Sequence, residues 1–176
     1  AGLFAGARED LDAAIRLDPR PGEAWTARGY ARLHEALARG NGGANPAEVV
    51  AELEAATLDL CEGLARSSDD ALAFGHRAFA YVYAGRWRRL AGKEVGETFA
   101  NARKDADRAV ALAPTATVGH LARGHAWLEE GRSLAARGGD GRPAWIEAER
   151  ALGHALAGNP ASRAAWVLRA AARFAT

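Results

Sequence analysis

Small and apolar residues recur every three or four positions along almost the whole chain, in stretches separated by short runs of turn-forming residues. This period is typical of amphipathic α-helices, because β-strands alternate every two residues. The strongest breaks are segments 39–46 and 137–143, where clustered glycines and a proline exclude a continuous helix. The pattern predicts eight helices, at approximately residues 3–17, 22–39, 46–66, 70–90, 94–112, 117–137, 143–157 and 161–175.

The residues at several helix starts, and the composition, favour the same interpretation. Side chains that cap helix N-termini precede four of the stretches: Asn45, Asp69 or Asp70, Thr115 or Thr117, and Ser162. Hydrophobic residues make up 49% of the 176 residues, but alanine supplies much of this fraction, and aromatic residues only 7%. Alanine favours closely packed helices, whereas β-branched and aromatic residues favour sheets. We therefore expect an all-α fold.

Charge and cysteine content exclude several classes of protein. The chain has 23 basic and 22 acidic residues, which gives no overall field to attract nucleic acid or an anionic membrane. Its single cysteine, Cys61, cannot form an intrachain disulfide, and no apolar run approaches the roughly 20 residues that span a bilayer. We expect a soluble cytoplasmic protein. Methionine is absent even from position 1, which indicates a segment of a longer chain.

Four arginines divide the chain into repeated units. Arg28, Arg77, Arg123 and Arg169 follow one another at intervals of 49, 46 and 46 residues. Each is followed by a small residue (Gly29, Ala78, Gly124, Ala170) and preceded three positions earlier by a ring (Trp25, Phe74, His120, Trp166). A small residue beside bulky ones is what two crossing helices require at their closest approach.

The segment before each arginine is also repeated. It reads AREDLDAAIRLDP (7–19), ATLDLCEGLARSS (56–68), ARKDADRAVALAP (102–114) and AERALGHALAGNP (148–160). An alanine-rich helix ending in Asx-Pro, followed by a helix with an aromatic residue and a small residue, resembles the tetratricopeptide repeat (TPR) family. The units are longer than the family's 34 residues. The resemblance covers almost the whole chain.

This resemblance implies a right-handed α-solenoid of antiparallel helix pairs in a single domain, residues 1–176. Its divisions are a half unit (1–21), three units (22–69, 70–116 and 117–160) and a terminal helix (161–176). Such arrays bind extended peptides or partner helices on the concave face formed by the first helix of each pair. By the repeat alignment, that groove presents Tyr30, His34, Leu72, His76, Phe79, Tyr83, Leu121 and His125. The alternative is that these aromatic residues only fill the groove.

The repeated arginines have a structural and a functional interpretation. An aspartate lies 18 residues before three of them, which gives the candidate pairs Asp10 with Arg28, Asp59 with Arg77, and Asp105 with Arg123. We expect structural ion pairs between adjacent helices, because buried charges persist only when they are paired. Ala151 interrupts the series before Arg169, which leaves that arginine more exposed or paired with Glu147 or Glu149. The alternative is a stripe of arginines that binds an anion.

No motif in the sequence indicates catalysis. The only approach to a phosphate-binding loop, Gly85 with Gly92-Lys93, has the wrong spacing and lacks the Ser or Thr that holds magnesium. His120 and His125 are five residues apart, which places them on different helix faces and gives no zinc site. We expect no enzyme activity, no cofactor and no metal.

The leading functional hypothesis is a non-catalytic interaction module that binds a protein or peptide. The resemblance also admits the regulatory region of a bacterial serine/threonine kinase, and self-association through the two end helices. The alternative is a ligand-sensing or enzymatic all-α domain whose pocket is lined by His76, His125 and the arginines. Unpaired arginines that converge on an enclosed cavity would favour this alternative, whereas an open apolar groove favours the interaction module.

Overall fold

The computed structural model describes residues 2–176, with side chains from Phe4 onward, and shows an all-α protein. Ala1, the first residue of the expected half unit, lies outside the described residues. The helices are α1 (Gly2–Leu17), α2 (Gly22–Asn41), α3 (Pro46–Arg66), α4 (Ala71–Leu90), α5 (Gly96–Leu112), α6 (Thr117–Ala136), α7 (Arg142–Gly158) and α8 (Arg163–Ala175). The eight helices confirm the expected all-α fold class.

Side-chain caps fix three of the helix starts. The side chains of Asn45, Asp70 and Ser162 accept hydrogen bonds from the backbone N–H groups of Ala47, Ala73 and Ala165. These bonds satisfy donors that have no partner within the helix. The expected threonine cap of α6 is wrong, because its N-cap residue is Ala116, whose side chain cannot accept a hydrogen bond.

A glycine in the left-handed region lies in each loop that follows α2, α4 and α6. Gly43, Gly92 and Gly138 have φ values of 83°, 70° and 78°. Residues with a Cβ rarely adopt this conformation. Glycine therefore allows the chain to turn sharply from the first helix of each pair into the second.

Every helix packs against the next helix in the chain, and a second set of contacts joins alternate helices. The α2, α4, α6 and α8 helices contact one another in that order, whereas within the described chain α3, α5 and α7 do not touch each other. One row of helices is therefore close together and the other row is spread apart. This packing is consistent with a helical repeat.

Close helix contacts occur at the small residue after the arginine in two of the units. A Cβ atom on Gly29 would lie 2.7 Å from Cγ of Leu60, and one on Gly124 would lie 2.4 Å from Cγ of Leu152. Both distances are shorter than carbon atoms tolerate, so α2 reaches α3, and α6 reaches α7, only because glycine is present. Buried leucine and alanine side chains surround these contacts and form the core between the helices.

None of the helices in the described part of the chain is both long enough and apolar enough to cross a membrane.

Candidate functional site

A cleft of about 280 Å³ lies where α2, α4, α6 and α8 come together. Each of the four helices contributes side chains to its wall. The lining residues are Tyr30, Leu33, His34, Leu37, His76, Phe79, Tyr83, Leu121, His125, Ala164 and Leu168. Leucines and aromatic rings form most of this surface, and none of the lining residues is an aspartate, glutamate, lysine or arginine. The cleft is therefore an uncharged site.

The rings in the cleft contact one another in two groups. The ring of Tyr30 lies between His34 and His76, with centroid distances of 4.3 and 4.6 Å. Across the cleft, His125 meets Tyr83 edge-on at 5.1 Å and Phe79 at 6.4 Å. Aromatic pairs at these distances stabilise each other beyond the area they bury. The rings are thus held in place before any ligand arrives.

The imidazoles in the cleft are neutral at physiological pH. Burial lowers the pKa of His76 to about 4, with a smaller contribution from nearby His34, and burial also lowers the pKa of His34 itself. Burial lowers the pKa of His125 to about 4, although the carboxylate of Glu129 acts in the opposite direction. A neutral imidazole keeps one nitrogen as a donor and the other as an acceptor. The cleft therefore presents hydrogen-bonding groups without presenting charge.

Two of these nitrogens are buried without a partner. Nδ1 of His76 and Nδ1 of His125 are shielded from water, and neither forms a hydrogen bond with the described residues. His125 is itself only 4% exposed. A buried polar atom without a partner costs free energy, and such atoms are uncommon in native structures. A ligand that supplied hydrogen-bonding partners would remove this cost.

A buried charge cluster lies one helical turn beyond the cleft on α6. Glu129 is fully buried and accepts hydrogen bonds from Arg89 at 3.0 Å and Arg132 at 2.5 Å. In the repeat, Glu129 takes the position of His34 and Tyr83, six residues after the arginine of its unit. The sequence interpretation missed this residue, although a glutamate at an otherwise aromatic position was a signal. Its charge is compensated by the two arginines outside the cleft.

The structure brings together seven of the eight residues expected in the groove. Tyr30, His34, His76, Phe79, Tyr83, Leu121 and His125 all line the cleft. Leu72 does not, and this expectation is corrected: it lies in the first turn of α4, before the cleft begins, and is 56% exposed. The other four lining residues are Leu33, Leu37, Ala164 and Leu168. Leu168 directly precedes an arginine, as His76 does, so the repeat alignment could have identified it.

The repeated arginines lie outside the cleft, between the helices. We use the term arginine layer for Arg28, Arg77 and Arg123 together with Asp59, Asp105 and Asp107. Arg28 donates two hydrogen bonds to Asp59, at 2.8 and 2.6 Å, and Arg77 donates two to Asp105, at 2.7 and 2.8 Å. Asp59 and Asp105 are buried. This two-bond geometry is the strongest that an arginine and a carboxylate form.

The pairing differs from the one predicted by the 18-residue spacing. Asp59 binds Arg28 of its own helix pair instead of Arg77 of the next pair, and Asp105 binds Arg77 of its own pair instead of Arg123. Asp10 is exposed on α1 and does not bind Arg28. The physical reason is that each arginine helix packs between two aspartate helices, and the arginine extends towards the following one. The 18-residue spacing correctly places the aspartate at the same height as the arginines. It does not determine whether the aspartate binds the arginine of the helix before it or of the helix after it.

A second set of partners lies 16 residues before each arginine. Asp12 accepts a hydrogen bond from Arg28 at 2.6 Å, and an oxygen of Asp107 lies 2.7 Å from Nε of Arg123. Cys61 takes the equivalent position towards Arg77, with its sulfur 3.2 Å from Nη1. Within the described chain, Arg123 pairs with no acid of the following helix, where Ala151 occupies the position of Asp59 and Asp105. In the arginine layer, Arg28 on α2 therefore has two aspartate partners, whereas Arg77 and Arg123 have one each.

A larger cleft, of about 660 Å³, lies between the start of α3 and the end of α4. Three of its polar side chains already have partners: Asn45 caps α3, and Arg88 pairs with Glu54. Within the described residues, no three His, Cys, Asp or Glu side chains are grouped to hold a metal ion. The smaller cleft, with its unpartnered histidines, is therefore the candidate site.

Comparison with known proteins gives no relative to guide the assignment. The chain matches no protein-family model, and no curated protein resembles it significantly.

Proposed function

We propose that this protein is a non-catalytic interaction module, a right-handed TPR-like solenoid that binds an uncharged aromatic segment of a partner protein in the cleft. The single observation that carries the proposal is the lining itself: rings and leucines from four helices, with no charged side chain and two unpartnered imidazole nitrogens. Aromatic side chains dominate the binding energy of protein interfaces. Tyr30, Phe79 and Tyr83 are the anchors.

The size of the cleft restricts what it can accept. An apolar cavity of about 150 Å³ accommodates one benzene molecule. The cleft, at about 280 Å³, has room for one bulky side chain such as tyrosine or tryptophan. The hydroxyl or indole N–H of that side chain would supply a partner for Nδ1 of His76 or His125. A charged side chain would lose its hydration without gaining a counter-ion.

The paired arginines favour this proposal over a ligand-sensing or enzymatic domain. That alternative requires the arginines to converge with His76 and His125 on one pocket. Arg28 and Arg77 instead bind aspartates between the helices and do not line the cleft. The cleft therefore offers no cationic group to hold an anionic substrate or to stabilise a developing negative charge.

The proposal is tested by selecting peptides on the 176-residue chain from a displayed random library. We expect the enriched peptides to share a tyrosine or tryptophan with uncharged neighbours. Their affinity is then measured by fluorescence anisotropy on wild type and on Ala164→Trp. Ala164 is exposed and lines the cleft, so the new indole fills the cleft without removing a buried contact. Binding should weaken at least about tenfold, as for the loss of one interface anchor.

Ala157→Trp is the matched control, because Ala157 is exposed on α7 and does not line the cleft. This variant should bind the peptides as the wild type does. Tyr30→Ala tests an anchor directly, and its fold is checked by circular dichroism. Selected peptides that bind Ala164→Trp and wild type equally, or that are enriched in charged residues, would show that the cleft is not the binding site.

A further inference from the structure

The α8 helix exposes an apolar stripe made of Val167, Ala170 and Phe174. Phe174 is 95% exposed, and Val167 is exposed as well. In the repeat alignment these residues take the positions of Thr26, Gly29 and Leu33 on α2. There Gly29 is in close contact with Leu60 of α3, and Leu33 is buried against the same helix. The stripe on α8 is thus the surface on which the second helix of a pair packs.

The α1 helix exposes the complementary surface. In α3, the residues that face the preceding helix are buried: Ala56, Asp59, Leu60 and Gly63. Their equivalents on α1 are Ala7, Asp10, Leu11 and Ala14. Leu11 is half-buried, and the other three are exposed. These four residues are identical to their equivalents on α3, except that Ala14 takes the place of Gly63.

Charges on the two surfaces also match. Arg169 stacks on the ring of Trp166 at 4.3 Å, as Arg28 stacks on Trp25 at 4.9 Å. Arg28 also binds Asp59, but the acids expected near Arg169 are engaged elsewhere: Glu149 binds Arg173, and Glu147 binds Arg150. No acid in the described chain pairs with Arg169. The α8 helix contains three arginines and no acid.

We propose that copies of this chain associate head to tail, with α1 of one copy packed on α8 of another and Asp10 bound to Arg169 across the contact. The occupant of the α8 surface is thus a second copy. The observations that favour it are the exposed acid on α1, the arginine of α8 without an acid, and the small residues at both matching positions. The contact repeats between chains the geometry that joins α2 to α3 within one chain.

Such a contact uses two different surfaces, so a pair of associated copies retains one free α1 surface and one free α8 surface. Association of this type continues to a ring or an open filament instead of stopping at a dimer. The mass of the assembly should therefore rise with concentration without a plateau at two copies. The cleft is not part of the contact, so this proposal can fail while the proposed function stands.

Charge reversal tests the proposal on the 176-residue chain. Light scattering after gel filtration, over a range of concentrations, should show assemblies for wild type. Asp10→Arg and Arg169→Asp each place like charges at the contact and should weaken association by roughly 30-fold or more. Asp10 is exposed and Arg169 half-buried, and circular dichroism is expected to show that both variants fold.

Mixing the two variants is the decisive measurement. The Asp10→Arg chain and the Arg169→Asp chain should assemble with each other, because both alternating contacts then join opposite charges. Phe174→Asp should abolish assembly in either background, whereas Leu58→Asp, at an exposed leucine of α3, should leave it unchanged. Wild type that is monomeric at every concentration would overturn the proposal. Assembly that ignores both charge reversals would overturn it as well.

Discussion

His76 and Arg77 are adjacent in the sequence, but they lie on two different sides of α4 and differ in their charge state. His76 enters the cleft, where burial lowers its pKa to about 4 and the smaller, opposite effect of Asp70 does not offset this. Arg77 enters the arginine layer, where it is also partly buried but binds Asp105 through two hydrogen bonds. Burial therefore accompanies a neutral group on one side of α4 and an ion pair on the other. An imidazole loses its proton when it is dehydrated, whereas a guanidinium stays protonated and requires a carboxylate beside it.

The largest expected effect comes from removing a carboxylate from the layer. Asp59 binds both Arg28 and Arg32, so Asp59→Ala removes one carboxylate from each and leaves Arg28 with Asp12 and Arg32 with Glu52. We expect the free energy of unfolding to fall by about 3 kcal/mol, as for other broken buried ion pairs. Urea denaturation of the wild type and the variant measures this loss.

The matched control is Asp107→Ala. Asp107 also contacts an arginine of the layer, but its side chain is 60% exposed. The same substitution should cost less than about 1 kcal/mol there, because exposed pairs contribute little. Equal losses at Asp59 and Asp107 would mean that burial of the pair is irrelevant to its contribution.

The second effect is a pH dependence that arises in the cleft. The pKa of His125 falls from 6.5 in the unfolded chain to about 4 in the folded protein, so the unfolded state binds the proton more readily. Its contribution is therefore fully present above pH 6.5 and is lost as the pH falls towards 4. At about pH 5 this amounts to about 2 kcal/mol. Arg86 and Arg132 oppose protonation, whereas Glu129 favours it.

His125→Gln removes this titration while keeping a polar side chain. Between about pH 7 and pH 5, the variant should lose about 2 kcal/mol less stability than wild type. His154→Gln is the control, because His154 is exposed on α7 and lies outside the cleft. A pH dependence in His125→Gln as large as that of wild type would show that the His125 imidazole does not contribute to it, since buried His76 titrates in both proteins.

A third substitution extends the layer where it is interrupted. Ala151→Asp places a carboxylate on α7 opposite Arg123, at the position of Asp59 and Asp105. We expect a gain of no more than about 1 kcal/mol, because the cost of burying the new acid offsets most of the ion pair. In this background, Asp107→Ala should lose its effect. Thermal denaturation of wild type, the two single variants and the double variant gives the coupling energy between the two positions. A loss of stability above about 2 kcal/mol in Ala151→Asp would mean that the new acid does not reach Arg123.

The smallest effect is expected at Cys61. This residue takes the place of Asp12 and Asp107 in its unit and contacts Arg77 through sulfur. Cys61→Asp should stabilise the protein by about 0.5 kcal/mol, because Arg77 is already neutralised by Asp105. Combined with Asp105→Ala, the same substitution should recover more, since it then supplies the only nearby acid. Chemical denaturation of the single and double variants measures the difference.

The sequence predicted the helices more accurately than the contacts between them. Breaks such as segment 39–46 and caps such as Asn45 act locally, so they are readable without a structure. The repeat also brought Tyr30 and His76 to one face. It could not assign Asp59 to Arg28, because a constant spacing fits the helix on either side equally well. The contribution of Leu168 was missed because α8 had been interpreted only as a terminal helix.

The turns that lead into α2, α6 and α8 are each closed by the same kind of side-chain hydrogen bond. The ring nitrogens of Trp25, His120 and Trp166 lie 3.0, 2.8 and 2.8 Å from the carbonyl oxygen of the proline six residues earlier. Phe74 occupies the equivalent position in α4, and its ring has no N–H group to donate. The turn between α3 and α4 therefore lacks this hydrogen bond. The orientation of α4 depends on side-chain packing, including the contact between the rings of Tyr30 on α2 and His76 on α4.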